Sequence, residues 1–179
     1  MLTQPIDDHL SLRMLRLPDA DELFAIVDAN RERLREWLPW LDDNTTADDT
    51  RWFIQTTLDQ CAADRGFVCA MLLDGAIVGV VGYNTIRRPS RIAELGYWLA
   101  AGATGRGLMT RSCRALIDYA FGELDLNKVE IRAAVGNRRS RAVPERLGFT
   151  QEGVLRQTEW LYDHLVDHVV YGLLRSEWR

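Results

Sequence analysis

Between Leu99 and Thr110 the chain places glycines at 102, 105 and 107, an arginine at 106 and a threonine at 110, with Arg111 next in line. Glycines let a backbone come close to a ligand. A helix opening after Gly107 would aim its unpaired N–H groups and the positive end of its dipole at the same point. That is chemistry for an anion, with Arg106 and Arg111 adding charge and Thr110 a hydroxyl donor. The spacing matches neither common phosphate loop. A P-loop needs Gly-Lys-Ser/Thr at the helix start, and the dinucleotide fingerprint needs GxGxxG. From the residues alone, an ordinary glycine-rich turn stays open as the alternative.

Other reactive side chains read more plainly. Cys113 falls on the apolar side of a helical segment with no histidine in the motif, which is core packing rather than a nucleophile. His164 and His168 have the spacing of a helical metal pair, but they lie in a segment that reads as turn and strand, so no metal is expected. The chain has three cysteines without CxxC spacing, which excludes a disulfide framework or zinc site and implies reduced thiols. Trp37, Trp40 and Trp52 read as core or cleft-wall aromatics. Asp42, Asp43, Asp48 and Asp49 read as capping and solvated acids that would also attract a cation.

The elements that position these residues follow from periodicity. A strand is expected over Leu10 to Leu15. A helix then runs from Asp19, after Pro18, through Leu23, Ile26, Val27 and Leu34, and ends near Trp37 to Trp40. Thr46 and Asp49 form a capping box for a second helix reaching Ala63. Gly66 to Leu73 and Ala76 to Asn84 read as strands joined by the hairpin dipeptide Asp74-Gly75, and Arg91 to Leu99 follows as a third. A helix over Leu108 to Phe121, a strand over Val129 to Val135 and a short helix over Arg138 to Leu147 come next, the last ending at Gly148. Glu152 to Gln157 and Val166 to Leu174 close the set. The order predicts a mixed α/β fold, with a mostly antiparallel central sheet and flanking helices. Ligands in such sheets favour the carboxyl ends of strands near a change of connectivity, which is where the turn after Leu99 lies.

Bulk properties narrow the class. The 179 residues, 47% apolar, suit one domain spanning 1–179 with its own core, and no repeat or linker divides them. A net charge of −4 supplies no basic field for nucleic acid and suits a cationic substrate such as an amine. The first residues lack a basic segment followed by an apolar run, and no window approaches the about 20 apolar residues of a membrane span. A soluble, cytoplasmic protein that binds neither nucleic acid nor membrane is expected.

The run Gly96-Tyr97-Trp98-Leu99 through Gly105-Arg106-Gly107-Leu108-Met109-Thr110 to Phe121 resembles the acetyl-CoA-binding core of GNAT N-acetyltransferases. Asn137-Arg138-Arg139-Ser140, followed by Glu145-Arg146-Leu147-Gly148-Phe149 and Glu152-Gly153, resembles the second signature of their RimJ/RimL branch. The resemblance extends from Leu12 to Trp178. It implies the acyl-CoA N-acyltransferase fold and acetyl-CoA as co-substrate, with no metal. It implies that the segment Thr104 to Thr110 holds the pyrophosphate through its backbone. Trp98 and Leu99 would end a strand that splays from its neighbour, pair with the pantetheine arm and supply the oxyanion's N–H donor. Asn137 would hold the cofactor arm and Ser140 protonate the departing thiolate. Glu159 would act as base, with Glu94 as runner-up. Two departures stand out: Gly102 replaces a family Gln or Arg, and Pro144 is expected to shorten or kink the short helix.

Acetyl transfer needs an uncharged amine, a stabilised oxyanion and a proton for the thiolate. An α-amine titrates near 7.7 to 8.0 against about 10.4 for lysine, so a modest base suits the former. The acceptor expected is the N-terminal α-amine of a protein, of ribosomal type. The alternatives are a small amine, such as an antibiotic, amino acid, polyamine or aminoacyl conjugate, or a non-catalytic CoA-binding module. Branch members often pair, so a homodimer is expected.

Overall fold

The computed structural model describes residues 3–179. Its strands are β1 (Thr3–Pro5), β2 (Leu10–Met14), β3 (Phe67–Leu73), β4 (Ala76–Arg87), β5 (Ile92–Leu99), β6 (Lys128–Ala134), β7 (Thr150–Leu161) and β8 (His164–Leu174). The helices are α1 (Ala20–Ala29), α2 (Arg31–Arg35), α3 (Ala47–Ala62), α4 (Leu108–Gly122) and α5 (Arg138–Arg146). One eight-stranded sheet runs in the order β1-β2-β3-β4-β5-β6-β8-β7. Every neighbouring pair is antiparallel except β5 and β6, which run parallel. The expected mixed, mostly antiparallel sheet with flanking helices is therefore the fold.

Strand alternation sends successive side chains to opposite layers. Cys69, Val81 and Leu95 pack with Cys113, Leu116 and Ile117 of α4. Ala70 and Val80 pack instead with Leu23 of α1 and Ile54 of α3. The β3–β4 turn has Asp74 at φ 50° and Gly75 at φ 87°. Two positive φ values in a two-residue loop match the right-handed twist of the flanking strands, which is why Asp-Gly reads as a hairpin. Thr46 accepts from the Asp49 amide at 3.2 Å while the Asp49 carboxylate accepts from the Thr46 amide at 2.8 Å, so α3 opens with the expected capping box.

Strand β1 is unexpected, and three further elements depart from expectation. The single helix expected from Asp19 to the Trp37 region is two, broken at Asn30 (φ −118°, ψ 10°). There the Asn30 side chain donates to the Ile26 carbonyl and accepts from the Ala101 amide, both at 2.8 Å, so a contact 71 residues away outweighs helix continuity. Pro144 neither shortens nor breaks α5, which continues to Arg146. Finally, β7 does not stop at Gln157 but resumes after a bulge and runs to Leu161. Glu159 thus lies within a strand rather than after one.

Candidate active site

The sheet opens at the parallel junction between β5 and β6. β5 and β6 pair from Ile92 with Lys128 as far as Leu95 with Ile131 and no further. Beyond that point β5 stays with β4 as far as Leu99, and β6 stays with β8 as far as Ala134 opposite His168. A wedge is left between Gly96–Leu99 and the end of β6. The direction of β5's backbone groups within it is fixed by alternation. Ala100 donates its amide to Val78 on β4 at 2.8 Å, whereas Arg91 accepts from Asn127 and Lys128 on the other side. Odd-numbered residues of β5 therefore face the wedge, and the Trp98 amide points to β4. Tyr97 has its amide and carbonyl directed into the gap, and so does Leu99. The Leu99 carbonyl accepts from Arg33 of α2.

Past β5, the chain turns through Ala101–Ala103, and Gly105 (φ 77°) and Gly107 (φ 70°) bring it to the start of α4. A Cβ at either glycine would meet nothing within 4 Å, so conformation rather than crowding demands glycine there. Gly107 caps α4 in the left-handed region with no side-chain cap, leaving first-turn amides directed at solvent. That is a fit for a pyrophosphate. The side chains of Leu108 and Met109 are buried, so only their backbone faces the loop's outer side. Thr104 donates its hydroxyl to Ala101 at 2.8 Å, Thr110 receives Arg146 at 3.3 Å and Arg111 pairs with Asp7. Arg106 is exposed.

On the other side of the wedge lies a cavity of about 730 Å³ whose wall includes Glu94, Trp98, Asn137, Ser140, Glu159 and His168. Residues from β5, α5, β7 and β8 thus converge on one volume. Asn137 caps α5 by accepting from the Ser140 amide at 3.1 Å. Pro144 has no N–H for the Ser140 carbonyl one turn before it, and Tyr97 fills the gap by donating its hydroxyl there at 3.0 Å. Burial pushes the Tyr97 phenol up, which keeps that proton on the oxygen. The Ser140 hydroxyl in turn lies 3.4 Å from the Tyr97 oxygen.

The two candidate bases have different company. Glu94 lies 3.4 Å from Arg132, whose guanidinium also approaches the buried Glu130 at 3.6 Å. Glu159 Oε2 lies 3.1 Å from His168 Nε2. Glu94 is thus engaged by a guanidinium and Glu159 by an imidazole. His164 and His168 lie on a strand, where four residues span roughly 13 Å, too far for one metal ion. Burial pushes the Cys113 thiol up, which removes its thiolate.

Trp37, Trp40, Trp52 and Phe53 line the cavity's helical side. The Trp40 and Trp98 rings lie 6.5 Å apart, and Trp52 is 73% exposed at the mouth. Of the four acids, Asp42 pairs with Arg35, Asp48 with Arg51, and Asp49 serves the cap; Asp43 is left on the cavity wall. The hairpin tip secures this cover, because the Tyr162 hydroxyl donates to Leu38 and accepts from the Leu41 amide.

The sequence offered His168 only as half of a metal pair, and gave Tyr97 and Arg33 no separate role. Only the alternation of β8, which sends His168 to the same side as Val166, offered a signal.

Residues 9–150 match the family described as the acetyltransferase (GNAT) domain. A candidate ribosomal N-acetyltransferase, YdaF of Bacillus subtilis (strain 168), is 40% identical over 99% of this chain and 98% of its own length. The solved structure of RimL, a ribosomal L7/L12 alpha-N-protein acetyltransferase in complex with coenzyme A, superposes with a TM-score of 0.95 at 26% identity, covering 98% of this chain and 99% of that one. The microcin C7 self immunity acetyltransferase MccE, in complex with acetyl-CoA and AMP, gives 0.90 at 27% identity over 94% of each chain. Acetyl-CoA, which carries its acetyl group as a thioester, is the co-substrate. The wedge and uncapped helix start are where such a ligand fits, and with similarity over nearly its whole length the chain belongs to the GNAT family, as an acetyl-CoA-dependent N-acetyltransferase of RimJ/RimL-like kind.

Proposed function

We propose that this enzyme acetylates the N-terminal α-amine of a protein, a ribosomal protein foremost, in the cytoplasm and as one domain. The observation that carries the reading is the convergence of Glu159 and Ser140 on one cavity beside the wedge. Glu159 accepts the proton of the attacking ammonium, directly or through water. The Leu99 amide, directed into the wedge, donates to the oxyanion, a contribution of about 3 kcal/mol for a preorganised donor. Ser140 donates a proton to the departing sulfur, and Asn137 orients the arm that carries it. The amide groups from Gly105 to Thr110 hold the pyrophosphate. A single modest base suits an α-amine near pH 8 better than a lysine. RimL, whose name states α-N-protein acetylation, supports the same acceptor.

The aromatic wall of Trp37, Trp40 and Trp98 favours a second reading, a small amine with a flat apolar group, and MccE's structure with AMP supports it. Initial rates with free-N-terminal peptides, the same peptides N-blocked but carrying lysine, and a panel of small amines separate the two. Faster turnover of free peptides is expected. Equal rates on blocked peptides would overturn the α-amine reading, and binding of acetyl-CoA with no turnover on any amine would favour a non-catalytic module.

The free sheet edge β7 exposes Val154, Leu155 and Trp160. We place the interface of a homodimer there, near the acceptor cavity.

A further inference from the structure

The bulge in β7 has a specific effect. Leu155 pairs with His168, but the next pair is Glu159 with Val166, so residues 156–158 face Asp167 alone. Regular pairing would set Glu159 opposite His164, about 13 Å from His168 along the strand. The bulge instead puts it diagonal to His168, within reach of a long side chain. Gln157 takes the strain at φ 49°, and its amide is held by Asp167 Oδ1 at 2.7 Å. The outcome is a carboxylate–imidazole pair, 26% and 15% exposed, on the cavity wall.

We propose that the proton leaving the amine comes to rest on Nδ1 of His168, with Glu159 fixing the imidazole by accepting from Nε2–H. The inference rests on this wall being where the amine is deprotonated. An ordinary carboxylic acid titrates near about 4.3, an imidazole near about 6.5 and an α-ammonium near about 8, so a lone carboxylate is a steep uphill acceptor and an imidazole a shallow one. The carboxylate is nonetheless required, because it selects the tautomer with bare Nδ1 and stabilises the imidazolium. In the step, the ammonium N–H bond breaks with its electron pair left on the amine. The proton passes through a water to a new N–H bond at Nδ1, and solvent takes it between turnovers. The second proton, released as the amide forms, goes to the sulfur through Ser140. Other charges facing the pair are Arg132 of β6, matched by Glu94 and Glu130, and Asp43 at the mouth.

His168→Gln keeps an N–H for Glu159 but has no place for a proton. With the intact enzyme, kcat/KM is expected to fall about 10²-fold in both His168→Gln and His168→Ala, while CoA affinity by calorimetry changes less than about twofold. Nitrogen-15 NMR of the His168 ring should show the Nε2–H tautomer in the wild type at pH 8 and lose that preference in Glu159→Gln. A His168→Gln enzyme at wild-type rate beside a crippled Glu159→Gln leaves Glu159 as the sole base and overturns this inference alone. A wild-type Glu159→Gln rate overturns the base reading with it, and a bare Nε2 in the wild type overturns the tautomer assignment.

Discussion

Glu94 and Glu159 share a cavity wall and differ in what holds them: an arginine for one, an imidazole for the other. Glu159→Gln keeps size and most hydrogen bonding but removes the basic oxygen, so kcat/KM should drop about 10²-fold with CoA affinity unchanged. Raising the pH until the amine is neutral in solution should recover part of that loss. Glu94→Gln leaves Arg132 with Glu130 and should cost less than about tenfold, a ranking that steady-state kinetics on both variants decides. Tyr97 offers a different test. Tyr97→Phe strips the Ser140 carbonyl of a donor that Pro144 cannot replace, at a cost of about 1–3 kcal/mol in urea melts. In a Pro144→Ala background the restored N–H should shrink that loss by about 1 kcal/mol, and simple additivity would remove the explanation.

At the scale of elements, the start of α4 depends on two left-handed residues. Gly105→Val and Gly107→Val should each cost about 1–3 kcal/mol of local strain and weaken CoA binding by calorimetry, while Gly102→Ala, with negative φ and open space, should leave it unchanged. The N-terminus of α1 carries a pH-dependent bond. Asp19, buried, is pushed up by desolvation but held below the ordinary carboxylate range overall by Arg13 at 2.8 Å and the Arg16 amide. A depressed carboxylate stabilises the fold above its unfolded pKa, and that stability is lost as pH falls through the folded value, below about pH 4. Asp19→Asn should therefore lower stability by about 2–4 kcal/mol at pH 7 and flatten the loss of Tm on acidification, as calorimetric scans would show. Such local devices were legible in the sequence: Asp74-Gly75, the Thr46–Asp49 box and the glycines before α4 each act within a few residues. The break at Asn30, strand β1 and the approach of Glu159 to His168 were not, because Ala101, β2 and the β7 bulge decide them from afar. Pro144 misled for the same reason, since its missing donor is supplied from β5.

For the whole molecule, association through β7 predicts that Val154→Lys with Leu155→Lys shifts the mass by light scattering from dimer to monomer. A monomeric wild type would overturn that arrangement. The strand order carries another consequence. β8 lies between β6 and β7, so β6 gains its second neighbour only once β8 is made. A polypeptide halted at Phe149 holds the glycine loop and Ser140 but has neither Glu159 nor His168, and β6 stands as a raw edge. During synthesis, the segment proposed to hold coenzyme A emerges before the residues proposed to receive the amine's proton. On the proposed roles, a product truncated at Phe149 is expected to bind cofactor without turnover and to be prone to edge pairing with its neighbours.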